Sequence, residues 1–167
     1  MSNPIDLAQE WAASAWKRFD FELPVNLSLI CKYLKINFRH KVMEDAVGGY
    51  LLRTPKRRYI VMNSNHELAR QRFTIAHEIA EFLLDRRQEY SGRRYSIDGS
   101  QEPRERFCNR FAANLLMPAA AVLTQAQELH HSTRNNKTNV LASRFGVSEQ
   151  AMRYRLNELA LRQNLKY

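Results

Sequence analysis

Apolar residues recur first at near-helical spacing: Ile5, Leu7, Ala8, Trp11, Ala12, Ala15 and Trp16. Asn3-Pro4 followed by Asp6 supplies a cap, a first-turn proline and an acid near the positive helix end. Phe21-Glu22-Leu23-Pro24 breaks that pattern, and a second short helix is predicted with Leu27, Ile30, Cys31 and Leu34 inward. From residue 36 to 62 the period changes to two. Ile36-Asn37-Phe38-Arg39 alternates, as do parts of 47–53 and 58–62, punctuated by Gly48-Gly49 and Thr54-Pro55-Lys56. These runs predict a small antiparallel β-sheet.

Ser64-Asn65-His66-Glu67 matches a capping box and predicts a helix starting there. Leu68, Phe73, Ala76, Ile79, Ala80, Leu83 and Leu84 carry it to about residue 85. Residues 86–101 are polar and glycine-containing and read as a loop. A helix over about 102–116 follows, with Phe107, Phe111, Ala112 and Leu115 inward, and Met117-Pro118 restarts the chain into a further short helix. In residues 139–161, Leu141, Ala142 and Phe145 form one apolar face and Met152, Leu156 and Leu159 another. Gly146 permits a tight turn between them and Ser148 can cap the second helix, a pattern resembling a helix-turn-helix. The expected class is α+β and mostly helical. One domain is expected over residues 1–129, with a helical C-terminal segment, 130–167, packed on it.

Length and composition add bounds. The 167 residues suit one globular domain or one domain with a small appendage. No apolar run approaches the roughly 20 residues needed to span a bilayer, so no membrane association is expected. The first residues, with Asp6 and Glu10, lack the basic and apolar regions of a signal peptide. Cys31 and Cys108 lack metal-type spacing and suit a reducing cytoplasm, where the chain is expected to act. A formal charge of +9 would suit nucleic acid or an acidic protein, but the arginines are scattered as on an ordinary solvated face.

The chemistry concentrates in RFTIAHEIAEFLLD, residues 72–85. His77-Glu78-Ile79-Ala80-Glu81 reads as the zinc-protease signature H-E-x-x-H with its last ligand changed to glutamate. Four residues apart on a helix, His77 and Glu81 present an imidazole and a carboxylate to one point. Glu78 lies about 100° around the helix, where it can act as general base without being a ligand. A catalytic zinc site takes three protein ligands. Glu105, on the next amphipathic helix, is the candidate third, with Asn109 one turn later to orient it.

RFTIAHEIAEFLLD, ERFCNRFAANLLMP (105–118) and LASRFGVSEQAMRYRLNELAL together resemble the ImmA/IrrE family of metallopeptidases. The resemblance covers most of the chain and implies a minimal, gluzincin- or zincin-like α+β domain. It implies His77 and Glu105 as metal ligands and Glu78 as catalytic base. It further implies that the protein cleaves or inactivates a helix-turn-helix repressor of the XRE type, inducing a mobile element, prophage or stress regulon. Some relatives form toxin–antitoxin-like pairs with such a partner. The expected cofactor is one divalent metal, zinc first, with manganese or iron as alternatives.

Two positions depart from the family pattern. Cys108 replaces an alanine and reads as structural. Glu81 replaces a ligand histidine, and a His77, Glu81, Glu105 shell would neutralise a divalent cation, lower its Lewis acidity and favour harder metals. The plain alternative is that Glu81 pairs with a nearby arginine and no metal binds. Against it, Glu78, Glu81 and Glu105 converging without a cation would repel or protonate. Tyr95, His130, His131, Tyr154 and Arg155 are candidate transition-state donors, and the substrate strand is expected to pair with an edge strand ending near Met62 and Asn63. Two other functional classes stand beside hydrolysis. One is a catalytically impaired pseudopeptidase that binds an XRE-type antitoxin or repressor. The other is direct DNA binding through Gln150, Arg153, Tyr154 and Asn157. If the natural glutamate weakens the site, Glu81→His should raise the metal content of natively purified protein, read by elemental analysis. Unchanged content would show that it does not.

Overall fold

The computed structural model describes residues 4–87, 103–129 and 133–164. The elements run α1 (Pro4–Phe19), α2 (Leu27–Leu34), β1 (Ile36–Lys41), β2 (Gly49–Arg53), β3 (Arg58–Asn63) and α3 (Leu68–Arg87). Then follow α4 (Pro103–Leu116), α5 (Ala119–Glu128), α6 (Arg134–Phe145) and α7 (Glu149–Asn164). The architecture is α+β and mostly helical, as the periodicities predict. No helix among the described residues is long and apolar enough to cross a membrane.

Local chemistry accounts for the helix ends. Asn26 caps α2 by accepting from the Ser28 amide at 3.1 Å. Leu27, Ile30, Cys31 and Leu34 face inward, matching the sequence pattern, and burial pushes the Cys31 thiol up to about 12, which keeps it an inert core thiol. Ala8 and Ala12 are buried on α1, letting it lie close against α4. There Trp11 meets Phe107 edge-on at 5.1 Å, and the Trp16 indole donates to the Leu115 carbonyl at 2.8 Å.

The sheet has the order β1-β3-β2. β2 and β3 form an antiparallel pair closed by the turn in which the Thr54 amide donates to the Arg57 carbonyl at 2.8 Å. β1 pairs with β3 in parallel, Ile36 opposite Arg58 and Lys41 opposite Asn63. The sheet is therefore mixed, not antiparallel as expected. Alternation reveals which face of a strand is buried but not the direction of its neighbour. β3 is also the central strand, with only Arg58 exposed, so a substrate cannot add to it. Among the described residues the edge strands of the sheet are β1 and β2.

The chain crosses from β1 to β2 over the end of β3, and Asn63 organises that crossing. Its fully buried amide donates to the Met43, Glu44 and Val47 carbonyls at 3.2, 3.0 and 2.9 Å. Its Oδ1 accepts from the Met43 and Asn65 amides at 3.2 and 3.1 Å. The bond to Asn65 folds residues 64–66 into a turn, so α3 starts at Leu68 and not at the Ser64 capping box. Gly49 is required beside this crossing, because a Cβ there would lie 2.4 Å from the Val61 carbonyl oxygen.

The C-terminal helices join the same core, with Leu141, Phe145 and Met152 fully buried in it. Arg155 is buried on α7, donating to the Met117 carbonyl at 2.9 Å and to Asn114 Oδ1 at 2.7 Å. Arg110 of α4 pairs with Glu158 of α7. Arg72 of α3 reaches the carbonyls of Gly146 and Val25 at 3.0 and 2.8 Å. Gly146, at φ 63°, gives α6 its left-handed cap.

Because Asn63 satisfies several backbone groups at once, Asn63→Ala should destabilise the protein by about 2 kcal/mol or more. Urea unfolding should show a lower midpoint, and a loss below about 0.5 kcal/mol would deny Asn63 this organising role.

Candidate metal centre

α3 and α4 pack side by side, and the predicted site lies between them. α3 is buried through Ala76, Ile79, Ala80 and Phe82. That registry turns His77, Glu78 and Glu81 toward α4. Phe107, Cys108, Phe111 and Ala112 seat α4, which leaves Glu105 and Asn109 on the same rim as His77.

His77 is held from both sides. Its Nδ1 lies 3.0 Å from Asn109 Oδ1, so an Nδ1–H tautomer donates to the amide oxygen and leaves Nε2 a lone pair. Nε2 faces Glu105 Oε2 at 3.6 Å. A lone pair opposed to a carboxylate needs positive charge between or beside them. In the protein without a cation a proton supplies it: burial would depress the His77 pKa, but the hydrogen bond to Glu105 and the charges of Glu78 and Glu105 raise it overall. Reciprocally, His77 holds the Glu105 carboxyl below its usual range.

Glu78 is 6 % exposed, and its buried Oε2 has no hydrogen-bond partner among the described residues. Burial, then the charge of Glu81, pushes its pKa up to about 8. Orphaned buried carboxylate oxygens are rare because desolvation without a partner is costly.

Glu81 behaves differently. Its Oε1 accepts from Arg104 Nε at 3.1 Å, while Arg104 Nη2 donates to Asp85 Oδ1 at 2.6 Å. Asp85 also pairs with Arg53 at the end of β2. Ligand-type atoms of His77, Glu81 and Cys108 nevertheless lie within 4.8 Å of one another. Glu105 is outside that trio and touches the site through His77. Cys108 is fully buried, and burial pushes its thiol well above the ordinary range, so it is a neutral neighbour unless a cation deprotonates it.

These residues fit a divalent cation. Two donors sharing one tetrahedral ion at about 2.1 Å lie about 3.4 Å apart, close to the His77–Glu105 gap of 3.6 Å. Asn109 orients the imidazole as a metal-site partner does, and the buried Glu78 Oε2 has no hydrogen-bond partner among the described residues. Sequence reasoning allowed Glu81 an arginine partner without identifying it as Arg104, and read Cys108 as structural rather than as a neighbour of the site. The signal for Arg104 was an acid pair one turn apart, Glu81 and Asp85, with an arginine beside Glu105. Cys108 carried no signal, since a buried cysteine is usually plain core.

Among the candidate transition-state donors, Tyr95, His130 and His131 lie outside the described residues. Tyr154 is exposed on α7, and Arg155 is engaged inside the core.

A carboxyl whose folded-state pKa exceeds its unfolded value binds its proton more tightly when folded. Its contribution to metal-free stability is therefore full below pH 4.5 and is lost as pH rises towards about 8. With chelator present, the melting temperature of Glu78→Gln relative to wild type should rise steadily over that window. A constant difference would mean that Glu78 ionises normally.

The sequence model for the IrrE N-terminal-like domain, Peptidase_M78, matches residues 31–157. No curated protein matches the chain.

Proposed function

The chain belongs to the IrrE N-terminal-like, Peptidase_M78 family, and we propose that it is a metal-dependent endopeptidase acting on an XRE-type helix-turn-helix repressor, thereby inducing a mobile element, prophage or stress regulon. The observation that carries the catalytic part is the conjunction at Glu78. A buried carboxylate, one of whose oxygens has no hydrogen-bond partner among the described residues and whose pKa is raised to about 8, adjoins a His77–Glu105 pair spaced as two ligands of one ion.

His77 and Glu105 would hold the cation, with Glu81 or Cys108 the nearest further donors. A bound divalent cation, zinc first and manganese or iron next, would supply Lewis acidity for amide hydrolysis. Glu78 takes a proton from the attacking water as the C–O bond forms, and returns it to the amine nitrogen as the C–N bond breaks. Asn109 keeps the imidazole in one tautomer and one orientation. Burial of Glu78 shields it from bulk water.

One observation favours a second reading. Arg104 already supplies a positive charge to Glu81, so the fold does not need a metal to neutralise that carboxylate. On this reading the protein is a pseudopeptidase that binds an XRE-type antitoxin or repressor without cutting it. Direct DNA binding through Gln150, Arg153, Tyr154 and Asn157, all exposed on α7, is a third reading, ranked lower because the family model reaches into α7 and Phe145 and Met152 pack into the common core.

The test pairs the purified chain with a purified XRE-type helix-turn-helix repressor. Cleavage that needs a divalent metal, stops with chelator and falls at least about 100-fold in Glu78→Gln is expected. Glu78→Gln should keep its metal by elemental analysis. Cleavage at the wild-type rate in that variant would overturn the mechanism, and a stable complex without cleavage would establish the second reading.

A further inference from the structure

We propose that Arg104 is a resident cation that holds Glu81 out of the metal shell, so that full coordination requires the guanidinium to be displaced. The inference rests on the metal-centre reading above and concerns how that centre is filled.

The geometry is that of a clamp. Arg104 sits in the first turn of α4, immediately before the ligand candidate Glu105. Its Nε engages Glu81 at 3.1 Å and its Nη2 engages Asp85 at 2.6 Å, so one planar guanidinium bridges two carboxylates one turn apart on α3. Arg104 is 20 % exposed at its side chain, Glu81 25 % and Asp85 17 %. The pairs are thus largely removed from solvent, where charge-assisted bonds are stronger than at an open surface. Asp85 is anchored in turn by Arg53 from β2, which fixes the far end of the clamp.

Glu81 cannot serve two cations fully. Its carboxylate lies near the ligand-type atoms of His77 and Cys108, yet its Oε1 accepts from Arg104. A metal drawing on Glu81 must weaken that bond, and repulsion between the guanidinium and a divalent ion adds to the competition. A histidine at position 81 would accept no such bond as a ligand. The glutamate and Arg104 therefore act as one device, and first contact of the ion falls to His77 and Glu105.

A solely architectural role for Arg104 predicts the opposite sign, since removing a support of the site weakens metal binding by about 10- to 100-fold. The experiment measures Zn²⁺ affinity of the full chain by competition with a chromophoric chelator. The variants are Arg104→Gln, Arg104→Lys, Glu81→Gln and the Arg104→Gln/Glu81→Gln double variant. Arg104→Gln should bind Zn²⁺ at least about tenfold more tightly than wild type. Glu81→Gln should lower affinity at least about tenfold more in the Arg104→Gln background than alone, a non-additivity that only release of Glu81 explains. Should Arg104→Gln lose its cooperative melt, Arg104→Lys carries the test. Lysine keeps the charge but not the bridging geometry, and should bind Zn²⁺ more tightly than wild type by a smaller factor. Unchanged or weaker binding in the folded variants, or additive effects, would overturn the clamp alone. Absence of Zn²⁺ binding from wild type and every Arg104 variant would instead overturn the metal centre itself, and the clamp with it.

Discussion

The packing of α3 against α4 concentrates negative charge in a partly buried seam, and much of the structure answers to that. Glu78, Glu81 and Asp85 come from one helix and Glu105 from the other. At low effective dielectric their mutual repulsion is large unless cations or protons intervene. Each carboxylate meets the problem differently. Glu81 and Asp85 share Arg104, Asp85 adds Arg53, Glu105 takes His77, and Glu78 is left with a raised pKa and an oxygen that no described residue partners. The seam divides into a half already neutralised by arginine and a half where a proton or divalent cation is required. The proposed chemistry lies in the second half.

The rest of the scaffold holds that seam in register. Trp11 and Trp16 of α1 bind the outer side of α4, and Arg155 of α7 bonds to Asn114 and Met117 at its C-terminal end. On the other side α3 rests on β2 and β3. The cation-bearing side chains Arg53 and Arg58 lie over the Phe82 ring at 5.7 and 5.2 Å. The position of α3 along the sheet is set by Asn63, which ends β3, shapes the 43–47 crossing and delays the helix start to Leu68. A buried asparagine satisfying that many backbone groups behaves as a structural joint.

Much of this was legible in the chain. Apolar spacing located the helices, and the inward set on α2 matched residue for residue, because helix burial repeats locally every three or four residues. The H-E-x-x-E spacing placed His77, Glu78 and Glu81 on one helix for the same reason, and the family match extends across residues 31–157. The parallel pairing of β1 with β3 was hidden, since alternation in a strand carries no direction. The helix start was misplaced because Ser64 lost its capping role to the side chain of Asn63, a competition between two local hydrogen-bond patterns.

Sequence alone determined which chemical groups are available and roughly where on each helix they stand. It could not decide which carboxylate faces which cation, because those partners lie far apart in the chain: Glu81 with Arg104, His77 with Glu105 and Asn109, Asp85 with Arg53. Those choices follow from the rotation of α4 about its own axis, set by Phe107, Cys108, Phe111 and Ala112 against α3 and α1. A modest turn of that helix would change which charged side chain meets Glu81, while the apolar periodicity that predicts the helix would stay the same. The tertiary structure thereby changes the meaning of the glutamate at position 81. In the sequence it is an altered ligand, and in the fold it is already half of an ion pair.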